Sequence, residues 1–102
     1  MYVYYRATDM LEANYLDNFD QLPYEAGVTY WTDGLNPARW YQGEGRVVVK
    51  ITLSKPIPQQ YFGIAEGVDE KGNMNNHREW CVPKAEFNEK VLAHLEDVQI
   101  VK

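Results

Sequence analysis

The chemically suggestive residues of this chain are aromatic rings set beside glycine, aspartate or arginine: Tyr4-Tyr5-Arg6, Tyr30-Trp31-Thr32-Asp33 and Arg39-Trp40-Tyr41. Eight Tyr and three Trp help bring the aromatic fraction to 14%. Such rings stack on flat ligands while their polar tips stay wet, and they fill the core of a small domain equally well. Arg6 carries a planar guanidinium that grips phosphate oxygens in pairs, or closes a surface ion pair. His77 lies two residues before Glu79, so a strand puts both on one face. There an imidazole can orient an acceptor or act as a base, or can be a histidine at a loop edge. Cys81 falls on the same face, and no basic neighbour argues for an activated thiolate. With two His and one Cys, a Cys/His zinc cage is close to excluded. One cysteine forms no internal disulfide, which fits a reducing cytoplasm.

The elements that position these residues can be read from patterning. Tyr2–Arg6 is β-prone and predicts an opening strand. Asp9 and Glu12 have the spacing of a capping box. Met10, Leu11, Tyr15, Leu16 and Phe19 then follow a helical period, and Pro23 is the latest point at which that helix can end. Gly27 precedes a second strand, Val28–Thr32. Asp33-Gly34 is a turn, and Asn36-Pro37 reads as an N-cap with Pro at the first helical position. The short helix Pro37–Gln42 ends at Gly43 and Gly45. Arg46–Ser54 holds the strongest strand signal, and Pro56 with Pro58 forces a bend. Tyr61–Val68 and His77–Val82 read as strands around an exposed loop, Asp69–Asn76. Asn88 is placed to cap a helix through Val91, Leu92 and Leu95, and Val98–Val101 closes the chain as a strand. Alternation puts Trp31 opposite Tyr30, and Trp31 and Trp40 are both assigned to the core. About six strands and three short helices in mixed order predict an α+β fold with a mixed or mainly antiparallel sheet.

The 102 residues predict one domain, 1–102, with enough chain for one core. The composition, 45% hydrophobic and 25% charged, argues against a wholly disordered chain. No apolar run approaches the roughly 18 residues of a membrane helix, and no secretory signal is visible in the opening residues. Ten basic against fifteen acidic residues give a net charge of -5. No basic patch suited to a nucleic acid is visible. An acidic surface suits a soluble protein or one that meets a basic partner.

Three pieces carry a family resemblance. They are Tyr4-Tyr-Arg-Ala-Thr8 on the opening strand; Gly27-Val-Thr-Tyr-Trp-Thr-Asp33 followed by Ala38-Arg-Trp-Tyr41; and Glu79-Trp-Cys-Val-Pro83 on a late strand. In this order they resemble the ADP-ribosyltransferase superfamily in a compact, divergent bacterial or phage-type form. Members of the poly-ADP-ribose polymerase type carry a Gly-hydrophobic-Tyr-Phe-Ala-Asp stretch and then a short helix ending in Tyr. Tyr30-Trp31-Thr32-Asp33 and Tyr41 are similar to it, with Thr29 as one extra residue after the glycine. The chain has Arg6 without the Ser-Thr-Ser stretch that accompanies Arg in other branches, and position 77 is His where those branches have Glu or Gln.

The resemblance implies an NAD-dependent mono-ADP-ribosyltransferase or NAD glycohydrolase. Glu79 is implied as the catalytic carboxylate, holding the ribose 2′-hydroxyl and stabilising an oxocarbenium-like state. Arg6, Ala7 and Thr8 are implied as binding NAD, Tyr30 and Tyr41 as stacking on nicotinamide, and His77 as orienting an acceptor. No metal is implied. The acceptor is a protein ahead of a nucleic acid, no membrane is involved, and a cytoplasmic phage or toxin-type effector fits the size. The rival readings are a non-catalytic acidic inhibitor on the same scaffold, blocking a basic partner by charge complementarity, and a structural domain without a ligand.

Overall fold

The computed structural model describes residues 1–101. The strands are β1 (Tyr2–Asp9), β2 (Val28–Thr32), β3 (Arg46–Leu53), β4 (Phe62–Val68), β5 (Met74–Pro83) and β6 (Leu95–Val101). The helices are α1 (Met10–Phe19), α2 (Leu35–Gln42) and α3 (Lys84–Lys90), with short 3-10 turns at Gln59–Tyr61 and Leu92–His94. The strands form one six-stranded sheet in the order β4-β5-β2-β1-β3-β6, and every pairing is antiparallel. This is the small α+β domain that the patterning predicts.

Alternation gives the sheet two unlike faces. On the first face Tyr4, Val49, Ile51, Leu53, Trp31, Trp80 and Val82 join Ala13 and Leu16 of α1 and Phe87 of α3 in the core. Trp31 and Phe87 stack with centroids 5.2 Å apart and planes 5° apart. The buried indole N–H of Trp31 donates to Thr29 Oγ1 at 2.9 Å, and Thr29 donates to the Val82 carbonyl at 3.0 Å. Burying this tryptophan therefore leaves no orphan donor. Tyr4 packs edge-on against Trp80, and its hydroxyl accepts from the amide of Ile57 in the proline bend. The second face is partly covered by α2, which packs on β1, β2, β3 and β4.

Several local expectations need correction. α2 begins at Leu35 with Gly34 as its N-cap, so Asn36 lies inside the first turn and donates to the Glu70 carbonyl instead. Pro37 is tolerated there because first-turn amides have no partner within the helix. α3 starts at Lys84, directly after Pro83. Asn88 sits inside that helix and does not cap one; its Oδ1 accepts from Leu22 N at 3.3 Å, tying down the segment after α1. The expected loop Asp69–Asn76 is shorter, since the β4–β5 ladder runs out to Val68 and Met74. Asp69 closes the turn by accepting from the amides of Lys71 and Asn73. Trp40 is 48% exposed and is not a core residue. Among the described residues no helix is long and apolar enough to cross a membrane.

Phe87 is fully buried against Trp31. Phe87→Ala is expected to cost about 3–5 kcal/mol, through lost burial and an open cavity. Ile64→Ala, at an exposed strand position, is expected to change stability by less than about 0.5 kcal/mol. Urea melts of the two variants check the contrast.

Candidate functional site

The cleft arises from unequal pairing of β1. On one side β1 pairs with β3 along its whole length, from Tyr2↔Leu53 to Asp9↔Arg46. On the other side it meets β2 at one residue pair among the described residues, Tyr5↔Thr32. β2 instead pairs along its full length with β5, from Val28↔Pro83 to Thr32↔Glu79. Beyond Tyr5 the backbone edge of β1 therefore faces a gap, and alternate N–H and C=O groups point into it. The gap is a cleft of about 560 Å³, lined among others by Arg6, Ala7, Thr8, Tyr30, Tyr41 and Glu79. That volume suits a small-molecule ligand.

Register decides which side chains enter. Trp80 belongs to the core face, so His77, Glu79 and Cys81 leave β5 on the α2 face. Tyr30 and Thr32 pair with Cys81 and Glu79 and share that face. Tyr41, at the end of α2, leans over it. Tyr30 is 50% exposed and Tyr41 37%, so both rings have a wet surface to offer a ligand. The Tyr41 hydroxyl lies 3.2 Å from His77 Nε2 and donates to Glu79 Oε2 at 3.5 Å. Burial, then the charge of Glu79 and the bond to it, raise the Tyr41 phenol above its ordinary value of 10.0.

Two predicted site residues are placed differently from the expectation. The His77 side chain is 1% exposed and is not part of the cleft lining. It touches Tyr41 and Glu79, so it does not reach an acceptor directly. Arg6 lines the cleft, yet its guanidinium leaves β1 on the core face, opposite to Glu79. It is held there by Glu12, with Nε at 2.8 Å and Nη2 at 3.2 Å. Its paired donors are thus occupied by a carboxylate.

Glu12 is the centre of a buried polar cluster that the sequence pattern does not announce. Its amide donates to the predicted cap, Asp9 Oδ1, at 2.7 Å. Its side chain does not reach back to close a capping box; it bonds Arg6 and the Thr8 hydroxyl, with Lys84 Nζ at 3.4 Å. Burial pushes the Glu12 carboxyl up, but hydrogen bonds and charge from Arg6, Thr8 and Lys84 outweigh it, leaving it below its ordinary 4.5. Arg46, also unforeseen, stands exposed at the cleft rim opposite Asp9. Only the long-range β1–β3 register reveals it. No group of three or more His, Cys, Asp or Glu among the described residues is arranged to hold a metal.

Gly67 on β4 completes the site from behind. A Cβ there would lie 2.8 Å from Trp40 Cζ3 and 3.1 Å from His77 Cε1. Both neighbours are rigid rings, so the position requires glycine by close approach.

The chain matches no family model, no curated protein and no solved structure.

Two predictions follow from this geometry. Gly67→Ala is expected to cost about 1–3 kcal/mol, since Trp40 and His77 must shift. A thermal melt measures it, and a tryptophan emission shift reports the movement of Trp40. Glu12 is charged more readily folded than unfolded, so its contribution is present above about pH 4.5 and is lost as the pH falls below that value. Glu12→Gln is expected to destabilise by about 3–5 kcal/mol at pH 7. Urea melts at pH 7 and pH 3 check that the gap from wild type narrows on acidification.

Proposed function

We propose that the chain is an NAD-dependent mono-ADP-ribosyltransferase, with NAD hydrolysis as its reaction when water is the acceptor. The observation that carries this reading is one cleft that brings together two part-exposed tyrosines, a carboxylate and an open strand edge. These groups fit the cofactor's parts. The backbone of Ala7 and Thr8 offers donors and acceptors to the nicotinamide amide. Tyr30 and Tyr41 offer ring faces to the nicotinamide plane. Arg46 is the exposed cation at the rim and suits the pyrophosphate. Arg6, whose charge is paired with Glu12, is not free for that role.

NAD supplies a ribose C1′ whose bond to nicotinamide breaks with both electrons leaving to the ring, while an acceptor lone pair bonds C1′ and the acceptor proton passes to solvent. Glu79 is the catalytic residue. One carboxylate oxygen accepts from the ribose 2′-hydroxyl, and its negative charge opposes the positive charge that develops on the sugar. Tyr41 holds the other oxygen, Oε2, through its hydroxyl. The acceptor is proposed to be an intracellular protein, as for a small phage or toxin-type effector.

A second reading has one observation in its favour. Asp17, Asp20, Glu96 and Asp97 line a separate groove of about 230 Å³, and the chain carries a net charge of -5. A non-catalytic inhibitor that docks on a basic protein would use such a surface.

The test is nicotinamide release at saturating NAD. Glu79→Gln keeps the size of the side chain and removes the charge. It is expected to lower turnover about 100- to 1,000-fold with little change in NAD affinity. Tyr30→Ala is expected to weaken NAD binding by about 1 kcal/mol, measured by calorimetry. Equal turnover in wild type and Glu79→Gln would reject Glu79 as the catalytic carboxylate and leave the inhibitor as the better reading.

A further inference from the structure

His77 is a buried titratable side chain that the mechanism above leaves unused. Its Nε2 faces two oxygens, Tyr41 Oη at 3.2 Å and Glu79 Oε2 at 3.5 Å. Its Nδ1 is buried with no hydrogen-bond partner. The ring is boxed in by Tyr41, edge-on with centroids 5.6 Å apart, and by Gly67, whose missing Cβ leaves the room for Cε1.

These contacts choose a tautomer. With the proton on Nδ1, a buried N–H would have no acceptor, which is the costlier kind of orphan. Nε2 would then be a bare lone pair facing the carboxylate oxygen of Glu79. The Tyr41 hydroxyl, having one proton, could satisfy only one of those two acceptors. With the proton on Nε2, all three groups are compatible: the ring N–H donates to Tyr41 Oη, and the Tyr41 O–H donates to Glu79. The orphan is then an acceptor lone pair.

We propose that His77 is a positioning residue: the hydrogen-bonded chain from His77 Nε2–H to Tyr41 Oη–H to Glu79 Oε2 fixes the nicotinamide-stacking ring and the catalytic carboxylate as one unit. The raised phenol of Tyr41 agrees with a hydroxyl that stays protonated and donates. Glu79 keeps its second oxygen for the ribose. The kinetic consequence rests on the transferase reading; the hydrogen-bond chain itself does not.

The experiment has two arms. Long-range nitrogen–proton correlation spectra of the wild-type protein identify which His77 ring nitrogen carries the proton. The expected result is a protonated Nε2 and a bare Nδ1, with the Nε2 signal moved by Tyr41→Phe. A protonated Nδ1, or no response to Tyr41→Phe, overturns the proposal. In the second arm, nicotinamide release is compared for two variants. His77→Leu removes the donor and is expected to lower kcat roughly 10- to 100-fold, by displacing groups that must be aligned, with KM little changed. His77→Gln places an amide N–H near the same point and is expected to restore kcat to within about fivefold. Equal losses in Leu and Gln variants show a packing role only and overturn the proposal. If wild type releases no nicotinamide, the transferase reading fails, and the ring tautomer with its response to Tyr41→Phe still decides this one.

Discussion

β1 is fully paired on its β3 side and meets β2 at the single pair Tyr5↔Thr32. The candidate site depends on that asymmetry. A strand inside a sheet normally has both edges satisfied, and an unpaired backbone group away from water is costly. Here the open edge faces a cleft, where solvent or a ligand can take the place of a neighbouring strand. β2 is held off by its other commitments. Its pairing with β5 sets Trp31 opposite Trp80 inside the core. Thr32 then donates to the Gly34 carbonyl, turning the chain into α2. α2 carries Tyr41 back over the gap that its own start helps to open.

The core face holds β1 in that position. Glu12 is 4% exposed and gathers Arg6, Thr8 and Lys84 around one carboxylate. Arg6 and Thr8 come from β1, Glu12 from α1, and Lys84 from the start of α3. The cluster therefore ties three elements together directly behind the open strand edge. Removing one member would leave buried charge without a counterpart, which is how such a cluster acts as a geometric constraint even where its net stabilisation is small. It also explains why a cation on the first strand is not free to meet a phosphate. In the proposed NAD reading that role falls to Arg46, which reaches the cleft from the neighbouring strand.

Much of the fold is legible in the sequence. Val47–Leu53 is β-branched nearly throughout, and Asp9 stands where α1 needs an N-cap, so β3 and the β1–α1 junction follow from local chemistry. The burial of Trp31 agrees with its place opposite Tyr30 in the alternation of β2. Where the reading fails, a long-range partner decides. Asn88 has the side chain of a cap, but Leu22 claims it from a distant segment. Trp40 has the bulk of a core residue, but α2 lies beside a cleft and Gly67 leaves a shelf for the ring's edge. The six proposed catalytic and NAD-binding positions line one cleft, yet residue type could not say which face Arg6 would take. That depends on parity along β1, and both parities of that strand are partly covered. His77 shares the face of Glu79 as its spacing predicts, and only the packing of Tyr41 and Gly67 reveals that it is sealed in.

The proposed activity requires a ligand to meet the open edge of β1, and amide chemical shifts report that encounter residue by residue. The direct measurement is a titration of nitrogen-15-labelled protein with NAD, with adenosine monophosphate as the comparison ligand. The proposed activity predicts that NAD moves the amides of Arg6 to Asp9 together with those of Tyr30, Tyr41 and Glu79. Adenosine monophosphate, lacking nicotinamide, should leave the β1 edge unmoved. Shifts confined to the acidic groove by Asp20 and Asp97, or none at millimolar NAD, would contradict it.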